Sequence, residues 1–197
     1  SGTIAVDGAR VRAGSIRHAM RAGLLYASED RKRDGLILDG TVESNLIYGA
    51  YGGVSKAGVI DFRRVGAFAR EVVARYRVRL HSTKQAIGEL SGGNQQKVVV
   101  ARISERKPRV AFFDDPTRGV DVGAKAGIYE EIFQLAERGA AVFVSSSDTD
   151  EVLAVADRVY VLASGRIVAE LRRDAFEREQ ILHLSSGAGA TSGGSTP

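Results

Sequence analysis

The stretch LSGGNQQKVVVARISERKPRVAFFDDPT, residues 90–117, constrains the fold of this chain more than any other. It reads as a small-residue turn, a helix, a short connection, an apolar strand and a pair of acids. Ser91, Gly92 and Gly93 make the turn, and the run from Gln95 to Arg102 continues as helix. A helix start with free backbone N–H groups behind a hydroxyl-bearing lead-in is a natural anion site. Val110, Ala111, Phe112 and Phe113 form a short apolar run that stops at Asp114-Asp115-Pro116. Proline cannot donate to a strand ladder, so the two carboxylates belong at the strand's C-terminal tip. That edge is where open α/β sheets bind ligands.

Around this stretch, strand and helix patterns alternate. Residues 3–6 read as a strand ending in an Asp7-Gly8 hairpin turn. Ser15 is placed to cap a short helix over residues 16–21, ended by Gly23. Residues 24–27 are a short buried strand, followed by the highly charged exit Ser28 to Gly35. Thr41 with Ser44 caps another helix, and the Gly-rich residues 49–58 read as a loop. Phe62, Val65, Phe68, Ala69, Val72, Val73 and Tyr76 recur at helical spacing, which predicts about four turns with one apolar face. A second amphipathic helix is predicted over residues 125–138, with Ile128, Ile132, Phe133 and Leu135 inward and Gly139 as its stop. Residues 141–144 are continuously apolar, the pattern of a parallel strand buried on both faces. A short helix over 151–156 and a hairpin over 159–169 follow, and residues 185–197 are low-complexity and expected to be disordered. Strands alternating with helices predict a layered α/β fold.

Composition removes several function classes. The 197 residues are enough for one domain with a core. There is no cysteine, which excludes disulfides and thiolate metal sites, and the three histidines at 18, 81 and 183 are scattered. Lys and Arg number 28 against 24 acids, and the charges are interspersed. The +4 balance is a solvated surface, and no nucleic-acid partner is expected. No apolar run approaches the ~18 residues that cross a bilayer, and the opening Ser1-Gly2-Thr3 leads straight into a strand-like pattern without a signal-peptide arrangement. Any membrane link is therefore expected to pass through a partner.

LSGGNQQK resembles the signature motif of ABC-transporter ATPases in the form seen in sugar importers. VAFFDDPTRGVDVGAK is similar to the Walker B strand and D-loop of the same family, in the right order and separation. SGTIAVDGARVR resembles the antiparallel segment downstream of the P-loop helix, SEDRK resembles a variant of the Q-loop, and TVESNL resembles the opening of the helical subdomain. Glu29 stands where most members carry Gln, as in the second, less active ATPase domain of tandem ribose/galactose-type importers. The resemblance covers roughly residues 1–171.

What the resemblance implies is a partial P-loop NTPase (ABC ATPase) fold: a parallel sheet flanked by helices, a helical subdomain at about 41–105 and a small antiparallel β element. Residues 172–184 would be a helical extension. ATP and Mg²⁺ are the implied ligands. Asp114 matches the acid that holds Mg²⁺ through water. Ser91, Gly92, Gly93 and Asn94 match the loop that faces ATP held by a second ATPase domain in a head-to-tail dimer, and Asp121 matches the D-loop acid that reaches across it. Glu29 completes the nucleotide-facing set. The catalytic positions are degenerate. Asp115 replaces the usual Glu; one methylene less retracts a carboxylate by about 1–1.5 Å, and a misplacement of about 1 Å can cost about a hundredfold. Ser147 replaces the switch His, and a hydroxyl has no pKa near neutrality.

No stretch matches G-x-x-x-x-G-K-[ST], the loop whose backbone N–H groups and Lys cradle phosphates. The expectation is an ATP-binding subunit fragment that couples ATP binding and hydrolysis to carbohydrate uptake but does not turn over ATP by itself. Its expected partners are a second ATPase domain, membrane permease subunits and, through them, a sugar-binding protein, at the cytoplasmic face of the membrane. The alternative is a non-catalytic module that completes a partner's ATP site in trans or docks on a permease through the residues 29–48 region; a third reading is a fragment that cannot fold alone. Without a P-loop strand and its helix, the strands at 110–113 and 141–144, which need both faces covered, are expected to keep an uncovered apolar face and an unpaired edge, which predicts marginal stability or self-association.

Overall fold

The computed structural model describes residues 2–186. Residues 187–197, most of the stretch read as disordered, lie outside the described residues. The chain divides into two compact units, Ser1–Phe143 and Val144–Pro197.

The first unit opens with a hairpin of β1 (Ile4–Val6) and β2 (Ala9–Val11). Asp7 and Gly8 both adopt positive φ, the conformation a two-residue turn of this kind demands. Helix α1 (Ile16–Arg21) follows, capped by Ser15, whose hydroxyl accepts from the His18 amide. Strand β3 (Leu24–Ala27) leads into a single π turn, Arg31–Gly35, capped by the Asp30 carboxylate accepting from Arg33 N. Thr41 caps α2 (Val42–Ile47) through the Ser44 amide. The Gly-rich stretch is more ordered than a loop: a 3-10 turn, Tyr51–Val54, precedes a miniature hairpin of β4 (Ser55–Lys56) and β5 (Val59–Ile60).

Helix α3 (Phe62–Arg75) starts at Asp61, which accepts from the Arg63 and Arg64 amides. Its buried face is Val65, Gly66, Ala69 and Val72. Phe62, expected on that face, is 80% exposed, because at the first helical position it lies beyond the packed turns. Val65 packs with Ile47 and Val54, flanked by Ile60 and Phe68. Helix α4 (Gly92–Ser104) is buried over most of its length, which suits its run Val98, Val99, Val100, Ala101. It feeds β6 (Val110–Asp114), and α5 (Val122–Glu137) follows with Ile128, Ile132 and Leu135 inward. Phe133 points out, contrary to the sequence expectation, because it sits one residue round the helix from that stripe.

The sheet orders β3, β6 and then β7 (Ala141–Ser145). Strands β3 and β6 are parallel, with Leu24 opposite Val110 and Ala27 opposite Phe113. Leu25, Ala27, Ala111 and Phe113 point into the core. The opposite face carries Tyr26, Phe112 and Phe143, at 60%, 37% and 46% exposure. Phe112 and Phe143 stack with centroids 4.6 Å apart. The strands expected to be covered on both faces are thus covered on one.

The second unit contains α6 (Thr149–Val155), capped by Asp148, and a hairpin of β8 (Arg158–Ala163) and β9 (Arg166–Arg172). Helix α7 (Arg178–Ser185) places Ile181 against Val159 and Val161. No helix among the described residues is long and apolar enough to cross a membrane.

Tyr76, at the end of α3, is 4% exposed and donates to Glu105 at 3.1 Å. Burial first, and the Glu105 charge second, push its phenol up to about 12. An unfolded tyrosine ionises from about pH 10 while the folded one keeps its proton. This contribution is therefore fully present below pH 10 and is lost as pH rises through 12. It amounts to about 2 kcal/mol. Urea unfolding between these pH values checks it: Tyr76→Phe should show a smaller alkaline loss than the parent chain, and equal losses would contradict the assignment.

Candidate functional site

The tip of β6 and the head of α4 are the two places where the sequence concentrates its candidate residues. At the strand tip, alternation puts Asp114 on the same face as Phe112 and Tyr26. The Tyr26 hydroxyl donates to Asp114 Oδ2 at 2.9 Å. That hydrogen bond, more than burial, raises the phenol's pKa. Asp115 then turns the chain with φ of 41°. It precedes Pro116, and a residue before proline avoids the right-handed helical region. The turn continues as Arg118 N to Asp115 O and Val120 N to Thr117 O, with Thr117 buried.

Asp121 caps α5, its Oδ1 accepting from Ala124 N at 3.0 Å. Its other oxygen lies 3.2 Å from where a Cβ on Gly93 would stand. Asp121 and Gly93 therefore pack together within one chain. Gly93 would also bring a Cβ to 2.9 Å from that of Ala124.

At the head of α4, Ser91 is exposed and makes no side-chain cap to its own helix. Its hydroxyl instead accepts from Asn94 Nδ2 at 2.9 Å, and Asn94 Oδ1 accepts from Arg79 N at 2.8 Å. The first-turn amides of α4 are thus left without the serine oxygen that usually claims one of them. Behind them Gln95 is 3% exposed. Its amide donates to the carbonyls of Leu90, Ile87 and Gly88, at 3.0, 3.3 and 3.5 Å. It pins the approach to the turn.

Glu29 pairs with Arg118, whose Nη1 donates to its Oε2 at 2.8 Å. Ser146, one residue before Ser147, donates to Glu151 in the second unit. Sequence reasoning missed Tyr26, Arg31 and Gln95. The partners of Tyr26 and Arg31 are 64 to 88 residues away, and no local pattern marks such pairs. Gln95 had a signal, a polar residue within an otherwise buried helix start.

The chemistry of Asp114 fits Mg²⁺. A carboxylate at a strand tip, with one oxygen tied by a phenol and a second oxygen available by its chemistry, suits a hard cation held through water.

A family model described as ABC transporter matches residues 1–118. The ribose import ATP-binding protein RbsA of Burkholderia pseudomallei is 44% identical over 190 residues, which is 95% of this chain and 37% of that protein. The arabinose import ATP-binding protein AraG of Rhizobium meliloti is 43% identical over 182 residues, 92% of this chain and 36% of that protein. The chain spans little more than a third of the length of these curated relatives. An ATP-binding cassette solved as a dimer in a post-hydrolysis state with ADP and Pi matches with a TM-score of 0.72 at 19% identity, over 89% of this chain and 75% of that one. A nucleotide-free cassette from an ABC transporter matches at 0.69 and 18%, over 96% and 76%. At such identities the structural likeness speaks for the fold, the α/β fold of P-loop NTPases.

Proposed function

Because this chain belongs to the ABC transporter family, we propose that it is part of the ATP-binding subunit of a sugar importer. Its task is to present the Ser91–Asn94 turn to ATP held by a second ATPase domain, in a head-to-tail pair. The observation that carries this reading is the turn itself: Ser91 is exposed, Asn94 fixes its hydroxyl, and it stands at the positive end of a 13-residue helix. The names of the relatives support sugar, and ribose or arabinose in particular, as cargo.

Asp114 would hold Mg²⁺ through water, and the ion would neutralise charge on the phosphates. Asp115 and Ser147 are the residues at the water-aligning and switch positions, Glu29 and Asp121 the flanking acids. Neither position carries the usual Glu or His, and the chain holds no phosphate-cradling loop motif.

A second reading, a module without turnover that docks on a permease, draws on a groove of about 1200 Å³ within the first unit. Met20, Leu46, Ile47 and Phe68 make part of its apolar wall. Arg102 and Arg106 stand in it, and burial lowers both guanidinium pKa values, that of Arg102 to about 10. Their donors go to carbonyls, of Gly35 and Asn45 for Arg102 and of Tyr48 for Arg106. A permease segment offering a carboxylate suits this wall, at the peripheral, cytoplasmic position proposed for the subunit. Of the region first expected to dock, Leu46 and Ile47 line the groove, while Glu29 is engaged with Arg118.

The two readings part on capture by a second ATPase domain. Phosphate release by the purified chain alone is expected to be negligible, while ATP and Mg²⁺ together drive its capture by an ATPase domain bearing the phosphate loop. Turnover by the chain alone that disappears in Asp114→Asn, or capture indifferent to ATP, would overturn the proposal.

A further inference from the structure

Three segments far apart in sequence meet at one guanidinium. Arg31 opens the π turn after β3 and is half-buried. Its Nη1 donates to Arg118 O at 2.7 Å and its Nη2 to Gly119 O at 3.4 Å. Its Nε donates to Gln95 Oε1 at 3.5 Å. The same Nη2 would lie 2.6 Å from a Cβ on Gly92. Burial lowers the pKa of this group, and the charge of neighbouring Asp30 offsets only part of that.

Two residues upstream, Glu29 accepts from Arg118 Nη1. The charged loop therefore grips Arg118 twice: Glu29 holds its side chain and Arg31 holds its carbonyl. The π turn explains the aim. Asp30 caps it, which fixes Arg31 towards α4, while Lys32 and Arg33 stay exposed.

We propose that Arg31 is a positioning residue: it clasps the 118–119 segment to the head of α4 and so sets the orientation in which the Ser91–Asn94 turn is offered. Glu29 is the second half of the clasp. This deepens the function proposed above and rests on it only for the identity of what the turn meets. The fork geometry matters more than the charge. Arg offers several fixed donors to two successive carbonyls and an amide oxygen, whereas a lysine at the same site is a single point donor. Arg31→Lys keeps the charge and loses the fork.

The test uses the full chain and two readouts. The first is hydrogen exchange in Arg31→Lys and Glu29→Gln, resolved by segment. Arg31→Lys is expected to speed exchange at the amides of residues 92–96 and 118–121 by about tenfold or more, the loss of a charge-assisted contact. The amides of α3 should be unchanged, and Glu29→Gln should give a smaller change confined to 118–121. The second readout is ATP-dependent capture by the loop-bearing ATPase domain, where Arg31→Lys should weaken capture, measured well below its melting temperature, by more than any fall in global stability accounts for.

Unchanged exchange in both segments overturns the clasp. Faster exchange everywhere, α3 included, also overturns it, since it assigns Arg31 to general stability. Altered local exchange with capture equal to the parent chain overturns the positioning role. If the parent chain itself is not captured, the function proposed above fails, and the exchange readout still decides the clasp.

Discussion

Replacing Gly92 by alanine is expected to cost the first unit about 2–4 kcal/mol, the largest loss of any single methyl group added at the site. The added Cβ would stand 2.6 Å from Arg31 Nη2 and 2.7 Å from Gly119 O. One of these neighbours is the end of a side chain and could swing away, but only by giving up its bonds to Arg118, Gly119 and Gln95. The other is backbone, in a turn fixed by Arg118 N to Asp115 O. Either the clasp opens or the start of α4 shifts. The glycine is thus required by packing inside the chain, whatever approaches the turn from outside. Urea unfolding checks this, and a loss below about 0.5 kcal/mol would contradict it. Gly92→Asp, which also adds a carboxylate facing any phosphate, mixes the two effects and cannot separate them.

The chain is expected to self-associate through the uncovered face of its sheet. Tyr26, Phe112 and Phe143 lie together there, each more than a third exposed, and contiguous apolar faces of this kind seek cover. Threonine suits a strand and removes the rings. The Phe112→Thr, Phe143→Thr double variant is expected to weaken association by about a hundredfold, because two half-buried rings are lost from each of two copies. Sedimentation across a concentration series checks this. A parent chain that stays monomeric throughout would contradict it, as would a double variant that associates as tightly as the parent.

Local chemistry made much of the fold legible. Ser15 and Thr41 announce their helices because a hydroxyl at an N-cap is a one-turn interaction. The hairpins at Asp7-Gly8 and Ser164-Gly165 carry residues that tolerate positive φ. The hairpin of β4 and β5 turns instead through Ala57 and Gly58, with φ of 52° and 82°. Alanine is a poor residue for that conformation, so the turn is silent in the sequence and the stretch reads as a loop. Phe62 and Phe133 fit a helical apolar pattern but lie outside the packed stripe, since periodicity marks a face and not its edges.

The site was legible in the same uneven way. Asp114 and the Ser91–Asn94 turn are motif residues, found by type and spacing. What holds them is not. Tyr26 on Asp114, Arg31 across two loops and Gln95 beneath the turn depend on segments brought together only by the fold. Glu29, read as facing nucleotide, is occupied with Arg118, a partner 89 residues away.

The most direct test of the account is a change that reaches a phosphate without disturbing the chain. Ser91 supplies it: the residue is exposed, and its side chain is engaged with Asn94. In an importer reconstituted from this chain, its loop-bearing ATPase domain and the permease, Ser91→Asp is expected to lower sugar-stimulated phosphate release by about a hundredfold or more, because a carboxylate then opposes the phosphate it should stabilise. The melting temperature of the isolated chain should not change. Phosphate release equal to that of the parent, or a loss matched by an equivalent fall in melting temperature, would contradict the claim that this turn acts on nucleotide held by its partner.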